Sequence, residues 1–105
     1  MVAVTAKAAL LQALVQGEGY GLELIDRVAA RTKGAISLHQ GSIYPALREL
    51  EREGLVTSRE SEPLPERGGR PRIYYKLTGL GAKQAVSDRE TVIGLFGVLG
   101  EETAR

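Results

Sequence analysis

Between Ile43 and Leu50 apolar residues recur at spacings of three and four. Ile43, Ala46, Leu47 and Leu50 therefore share one face of an α-helix, and Ser42, Tyr44, Arg48, Glu49 and Arg52 lie off it. Pro45 lacks an N–H and suits a first turn, which places the helix start near Gly41 to Ser42. Gly54 ends the helix, because the residue just past a C-terminus often needs a positive φ. Upstream, Thr5 is the predicted cap of a first helix through AKAALLQALVQ. Ala8, Ala9, Leu10, Leu11, Leu14 and Val15 give that helix an apolar surface wider than one stripe, so it is expected to pack on two sides, one of them a second subunit. Gly17 and Gly19 break it. A second helix follows Tyr20, with Leu22, Ile25, Val28 and Ala29 inward and Glu23, Asp26, Arg27 and Arg31 outward, until Gly34 stops it. AISLHQ then reads as a turn into the helix at Ile43.

Past Gly54 the period changes. LVTSRESE is rich in strand formers, and RIYYKL alternates Ile73, Tyr75 and Leu77 against Arg72, Tyr74 and Lys76. PLPERGGRP between them is expected to have no regular structure, so the two strands form a hairpin with an Arg/Gly/Pro tip. Thr78 caps a last helix whose later half carries Val92, Ile93, Leu95, Phe96, Val98 and Leu99, weakened as a helix by Gly94, Gly97 and Gly100. The predicted fold class is α+β, mainly α. It is a winged helix-turn-helix of three helices and a two-stranded β wing over residues 1–77, with a C-terminal dimerisation helix over residues 78–105 in the same unit.

Composition narrows the function. A chain of 105 residues is one domain with a modest core. No apolar run is long enough for a bilayer and Met1 opens no secretory signal, so the expectation is a cytoplasmic protein with no membrane partner. The absence of Cys removes disulfides and thiolate chemistry, and the single histidine, His39, cannot build a metal site alone; it reads as a turn or cap residue. Neither a nucleophile elbow nor a P-loop is present. Gly17, Gly19 and Gly21 follow a helix rather than a strand, the wrong context for a dinucleotide fingerprint, so no enzyme and no cofactor are expected.

The formal net charge is only +1, but its distribution is uneven: Arg67, Arg70, Arg72 and Lys76 occur with no acid among them. On a turn opened by Gly68, Gly69 and Pro71, such guanidinium groups can lie along a phosphate backbone or in a minor groove. Gln40, Ser42, Tyr44 and Arg48 can donate to phosphates or base edges from the start of the preceding helix. Each feature alone also describes an ordinary solvated surface; their adjacency is what points to double-stranded DNA. Leu10 and Leu14 on the first helix, with Val92, Ile93, Phe96 and Leu99 on the last, are the expected dimerisation residues.

The segments GYGLELIDRV, QGSIYPALRELEREGLV and GRPRIYYKLTGLG, in this order, closely resemble the PadR family of bacterial transcriptional regulators, over roughly Ala8 to Ala85. The resemblance implies a winged helix-turn-helix that binds operator DNA as a homodimer, usually as a repressor. It also implies a C-terminal dimerisation helix and, in many members, release by a small hydrophobic or phenolic effector. The family pattern falls on Ser42, Tyr44, Pro45 and Arg48 in the recognition helix and on Gly69, Arg70, Pro71 and Arg72 in the wing. The single C-terminal helix matches the smaller members. Gln40 stands where the family often has Pro, and there is no Trp for the aromatic drug-stacking pore of some small members. The competing reading is a winged-helix protein-interaction module without specific DNA binding; a third stresses an effector pocket at the dimer interface.

Overall fold

The computed structural model describes the backbone of residues 4–103 and the side chains of residues 4–95. Its elements are α1 (Ala6–Leu14), a two-residue β1 (Gly19–Tyr20), α2 (Gly21–Arg31), α3 (Gln40–Arg52), β2 (Val56–Glu60), one 3-10 turn (Pro65–Arg67), β3 (Ile73–Leu77) and α4 (Gly79–Thr103). This is the predicted α+β winged helix-turn-helix, with one strand more in its sheet. The strand order is β1-β3-β2, antiparallel throughout, with Tyr20 opposite Tyr74 and Arg59 opposite Tyr74 on its other side. β1 escapes a periodicity reading because Gly19 and Tyr20 are too few to alternate. It exists because β3 offers a free edge.

α1 begins where the Thr5 hydroxyl accepts the Ala8 N–H at 3.1 Å, pairing a donor that a helix start leaves free. Most of the broad apolar surface of α1 is spent within one protomer. Ala9, Leu10, Leu11, Ala13 and Leu14 are all buried, and α1 packs against α2, α3, α4 and β3. Leu10 and Leu14, expected at a subunit interface, are instead core residues, 0% and 2% exposed, with no surface left for a second copy. They join Leu24, Ile43, Leu47, Leu50 and Val56 as the largest fully enclosed side chains. Each is worth roughly 1.5–3 kcal/mol of burial.

α2 buries the expected Val28 and packs the expected Ile25 on the core, but takes Leu24 inward in place of Leu22. Gly21, Leu24 and Val28 are buried and Ile25 packs on the core, whereas Leu22 is 48% exposed. Leu24 lies four residues before Val28 and Leu22 three before Ile25, so helical spacing admits either, and only packing against the neighbouring helices chooses between them. α2 ends with Lys33 already at positive φ (52°), one residue ahead of the predicted stop at Gly34 (81°), and the Gly34 N–H returns to the Ala29 carbonyl at 2.8 Å.

α3 starts earlier than Pro45 suggests. The His39 carbonyl accepts the Ser42 and Ile43 N–H groups, both at 3.0 Å, and the Ser42 hydroxyl at 3.0 Å. This turn closes the helix start at Gln40 and leaves Pro45 inside the helix, beyond its first turn. Pro45 has no N–H for the Gly41 carbonyl four residues back, and exposed Gly41 leaves that carbonyl near solvent. The other end matches the expectation: Gly54 adopts φ 77°, the Leu55 N–H reaches the Leu50 carbonyl at 2.9 Å and the Gly54 N–H reaches that of Glu51 at 3.0 Å. The wing loop holds more order than expected. Pro65 fixes the first φ of its 3-10 turn, and Gly68 (68°) and Gly69 (83°) close it in left-handed conformations.

Thr78 joins α3 to α4. Its hydroxyl donates to the Gly54 carbonyl at 2.7 Å and accepts the Gly81 N–H at 3.0 Å, while its own N–H reaches the Leu55 carbonyl at 3.0 Å. α4 then runs so close to Leu55 that a Cβ at Gly81 would lie inside the envelope of the Leu55 carbonyl oxygen. One turn on, Gln12 Nε2 donates to the Ala85 carbonyl at 2.7 Å, and Ala85 is 1% exposed. Beyond it α4 leaves the core: Val92, Ile93 and Leu95 are 50%, 59% and 60% exposed. The side chains of Phe96 and Leu99 lie outside the described residues. Among the described residues no helix is long and apolar enough to cross a membrane.

Because the obstacle at Gly81 is backbone, Gly81→Ala forces α4 away from Leu55. It is expected to lower stability by about 1–3 kcal/mol, read as a fall in the urea midpoint with an unchanged slope.

Candidate nucleic-acid interface

The outer face of α3 carries Gln40, Ser42, Tyr44, Pro45 and Arg48, all exposed, together with Glu49 and Arg52. The acids of this region are engaged within the protein. Lys7 on α1 pairs with Glu49 at 3.4 Å and Glu53 at 2.8 Å, and these contacts, Glu53 foremost, hold its ammonium above the ordinary lysine range. Glu51 accepts the Ser58 hydroxyl at 2.7 Å. Among the described residues no carboxylate pairs with Arg48 or Arg52. Arg48 and Arg52 thus stand on α3 without a carboxylate partner, although the helix holds as many acids as bases.

Tyr44 is only partly a surface residue. Its hydroxyl rests on Gly21, the first residue of α2, where even a Cβ would come within 2.6 Å of it. Buried Tyr75 of β3 lies beneath the same helix; burial pushes its phenol up, and Glu51 and Tyr44 nearby push in the same direction. The large aromatic on the polar side of α3 thus spaces α3 from α2.

The wing places the predicted residues differently from one another. Arg70 is exposed and folds its Nε back to the Arg67 carbonyl at 3.1 Å; Arg67 is half-buried, and Gly69 and Lys76 are exposed. Arg72 does not hang free. Its guanidinium stacks over the Tyr20 ring, 4.5 Å from the centroid, with Nε enclosed and, among the described residues, without a hydrogen-bond partner, while the Arg72 backbone N–H donates to Ser61 Oγ at 2.8 Å. Tyr20 meets Tyr74 edge-on at 5.5 Å, and Arg59 lies 4.7 Å over Tyr74. Glu18 closes the row with a forked pair to Arg59, 2.7 Å from Nε to Oε2, which holds its carboxyl below the ordinary range. Glu18, Tyr20, Arg59 and Tyr74 were not singled out in the sequence. Their signal is strand register, visible only once β1 is recognised.

Arg27 is a further residue whose role the sequence leaves unmarked. From the outer side of α2 it donates to the carbonyls of Ala13 (3.3 Å), Gly17 (2.7 Å) and Glu18 (2.7 Å), pairing backbone acceptors at the end of α1 and in the turn after it. Among the described residues no group of acids or histidines is placed to hold a metal ion.

A sequence profile of the transcriptional regulator PadR-like family matches residues 10–87. The chain belongs to the PadR-like family. The family is one of transcriptional regulators rather than enzymes. Transcriptional regulator YqjI of Escherichia coli (strain K12) is 35% identical over 83 residues, 79% of this chain and 37% of that protein, so the chain spans well under half of that relative. A PadR family regulator from Clostridium difficile R20291 superposes with a TM-score of 0.73 at 22% identity, covering 93% of this chain and 97% of that one. Bacillus subtilis PadR, solved in complex with operator DNA, gives a TM-score of 0.67 at 26% identity, covering 77% of this chain and 44% of that one.

The Glu18–Arg59 pair predicts a pH dependence. A carboxyl with a lowered folded-state pKa stabilises the fold above its unfolded value of 4.5 and loses that effect as pH falls through the folded value. Glu18→Gln is therefore expected to melt slightly below the parent protein at pH 7, with the gap closing in acid and shrinking in high salt, as read by circular dichroism.

Proposed function

We propose that this PadR-like chain is a cytoplasmic, sequence-specific DNA-binding regulator that acts as a homodimeric repressor on double-stranded operator DNA. The carrying observation is the exposed face of α3, where among the described residues no carboxylate pairs with Arg48 or Arg52, beside a wing that presents Arg70 and Lys76. α3 suits the major groove, with Gln40 and Ser42 near phosphates at its N-terminus and Arg48 in reach of base edges. Arg67, Arg70, Arg72 and Lys76 grip the backbone, and Gly69 and Pro45 shape the two elements. The solved complex of Bacillus subtilis PadR with operator DNA supports this reading.

Dimerisation falls to α4. Val92 and Ile93 are too exposed for a lone domain, and they border a groove of about 350 Å³ that also includes Ala8, Val28 and Ile36. A second copy burying this surface sets the two α3 helices on successive major-groove faces, about 34–36 Å apart. The groove also has the size and apolar lining of a small-molecule site, the place where a small hydrophobic effector would relieve repression.

The test is a fluorescence-anisotropy titration with a duplex that the protein enriches from a randomised library, against a scrambled duplex, at 50 and 200 mM salt. Binding is expected to prefer the enriched duplex and to weaken about a thousandfold or more between the two salts for ~6–10 phosphate contacts. Arg48→Ala is expected to cost about 1–3 kcal/mol on the enriched duplex. Failure to enrich any duplex would leave the protein-interaction reading instead. Ile93→Glu is expected to sediment as a monomer; an intact dimer would remove α4 from the interface.

A further inference from the structure

Tyr20 and Gly21 are chain neighbours, and each touches a different DNA-facing element. The Tyr20 ring carries the Arg72 guanidinium of the wing at 4.5 Å, and Gly21 receives the Tyr44 hydroxyl of α3 against its bare Cα. Tyr20 is the last residue of β1 and Gly21 the first of α2, so little soft backbone separates the two contacts. The Tyr20 ring is itself braced edge-on by Tyr74, whose other neighbour is Arg59, paired with Glu18. Among the described residues no carboxylate pairs with Arg72, and its Nε is enclosed without an acceptor. The ring face is thus what aims the guanidinium. A planar cation suits that role: it stacks on an aromatic face while its in-plane N–H groups stay available to a phosphate.

We infer that Tyr20–Gly21 is the joint that fixes the wing relative to the recognition helix, with Tyr20 acting as a positioning residue for Arg72 and Gly21 for Tyr44. This rests on the DNA-binding reading above. Its two halves predict different losses. An arginine without its ring loses a phosphate contact, which affects every sequence equally and lowers the salt dependence. A displaced Tyr44 shifts the start of α3, which harms base reading and leaves the phosphate count unchanged. The obstacle to a Cβ at Gly21 is the far end of a side chain rather than backbone, so Gly21→Ala is expected to fold.

The test uses the enriched and scrambled duplexes over a salt series with the full chain. Tyr20→Leu is expected to weaken binding to both duplexes about tenfold. It should also reduce the slope of log affinity against log salt by about 0.9, the share of one phosphate. Arg72→Lys, which keeps the charge and leaves the core untouched, should show the same loss. The double variant should bind no worse than either single one, and Tyr20→Phe, which keeps the ring, should bind as the parent does. Gly21→Ala should narrow the preference for the enriched duplex with the slope unchanged. Parent-like binding by Arg72→Lys, additive losses in the double variant, or a Tyr20→Phe as weak as Tyr20→Leu would each overturn the inference while leaving the regulator reading intact. A parent protein that enriches no duplex would remove the regulator reading itself.

Discussion

Leu10 and Leu14 have no free surface, and the other helices and the sheet take their positions from contact with the helix that carries them. α1 packs against α2, α3, α4 and β3. A domain of this size has few ways to build a core, and packing most of its elements around one short helix is an efficient one. The polar contacts then fix directions that packing alone leaves loose. Arg27 pairs the carbonyls at the end of α1, Gln12 ties α1 to the backbone of α4, and Lys7 holds the C-terminal end of α3.

The same contacts shape the charge of the molecule. A net charge of +1 says little about a nucleic-acid partner. Pairing gives several acids a partner: Glu49 and Glu53 turn to Lys7, Glu51 to Ser58 and Glu18 to Arg59. Among the described residues, Arg48 and Arg52 on α3 are left without a carboxylate partner. The pairs are solvent-exposed, so their value to stability is small; their larger effect is on the field that an approaching polyanion meets.

Much of the fold was legible in the sequence because its punctuation is local. Thr5, Gly54 and Thr78 cap or end helices through bonds within a few residues, and the structure shows each in that role. The alternation of RIYYKL placed Tyr75 inward for the same reason. Local pattern does not decide where the deciding partner is distant in sequence. Leu10 and Leu14 went to an interface because a wide apolar helix looks alike whether its second neighbour is another subunit or α4. Leu24 was passed over for Leu22 because helical spacing fits both. β1 and the Tyr20–Arg72 contact depend on strand register across more than fifty residues. Pro45 misled by a general rule: a first turn suits proline best, yet the bonds converging on the His39 carbonyl begin α3 earlier. Within the site, residue types and order were readable, but not that Tyr44 and Arg72 are each held by a neighbouring element.

Thr78 has a further consequence. With one hydroxyl it bonds the end of α3 and the beginning of α4, and Gly81 seats α4 directly on the Leu55 carbonyl. The angle between α3 and the helix that leaves the domain is thereby set inside a single protomer. In any two-fold assembly built on α4, the distance between the two copies of α3 is then inherited from this joint. That spacing becomes a property of tertiary structure, and a change in it needs a new joint as well as a new interface.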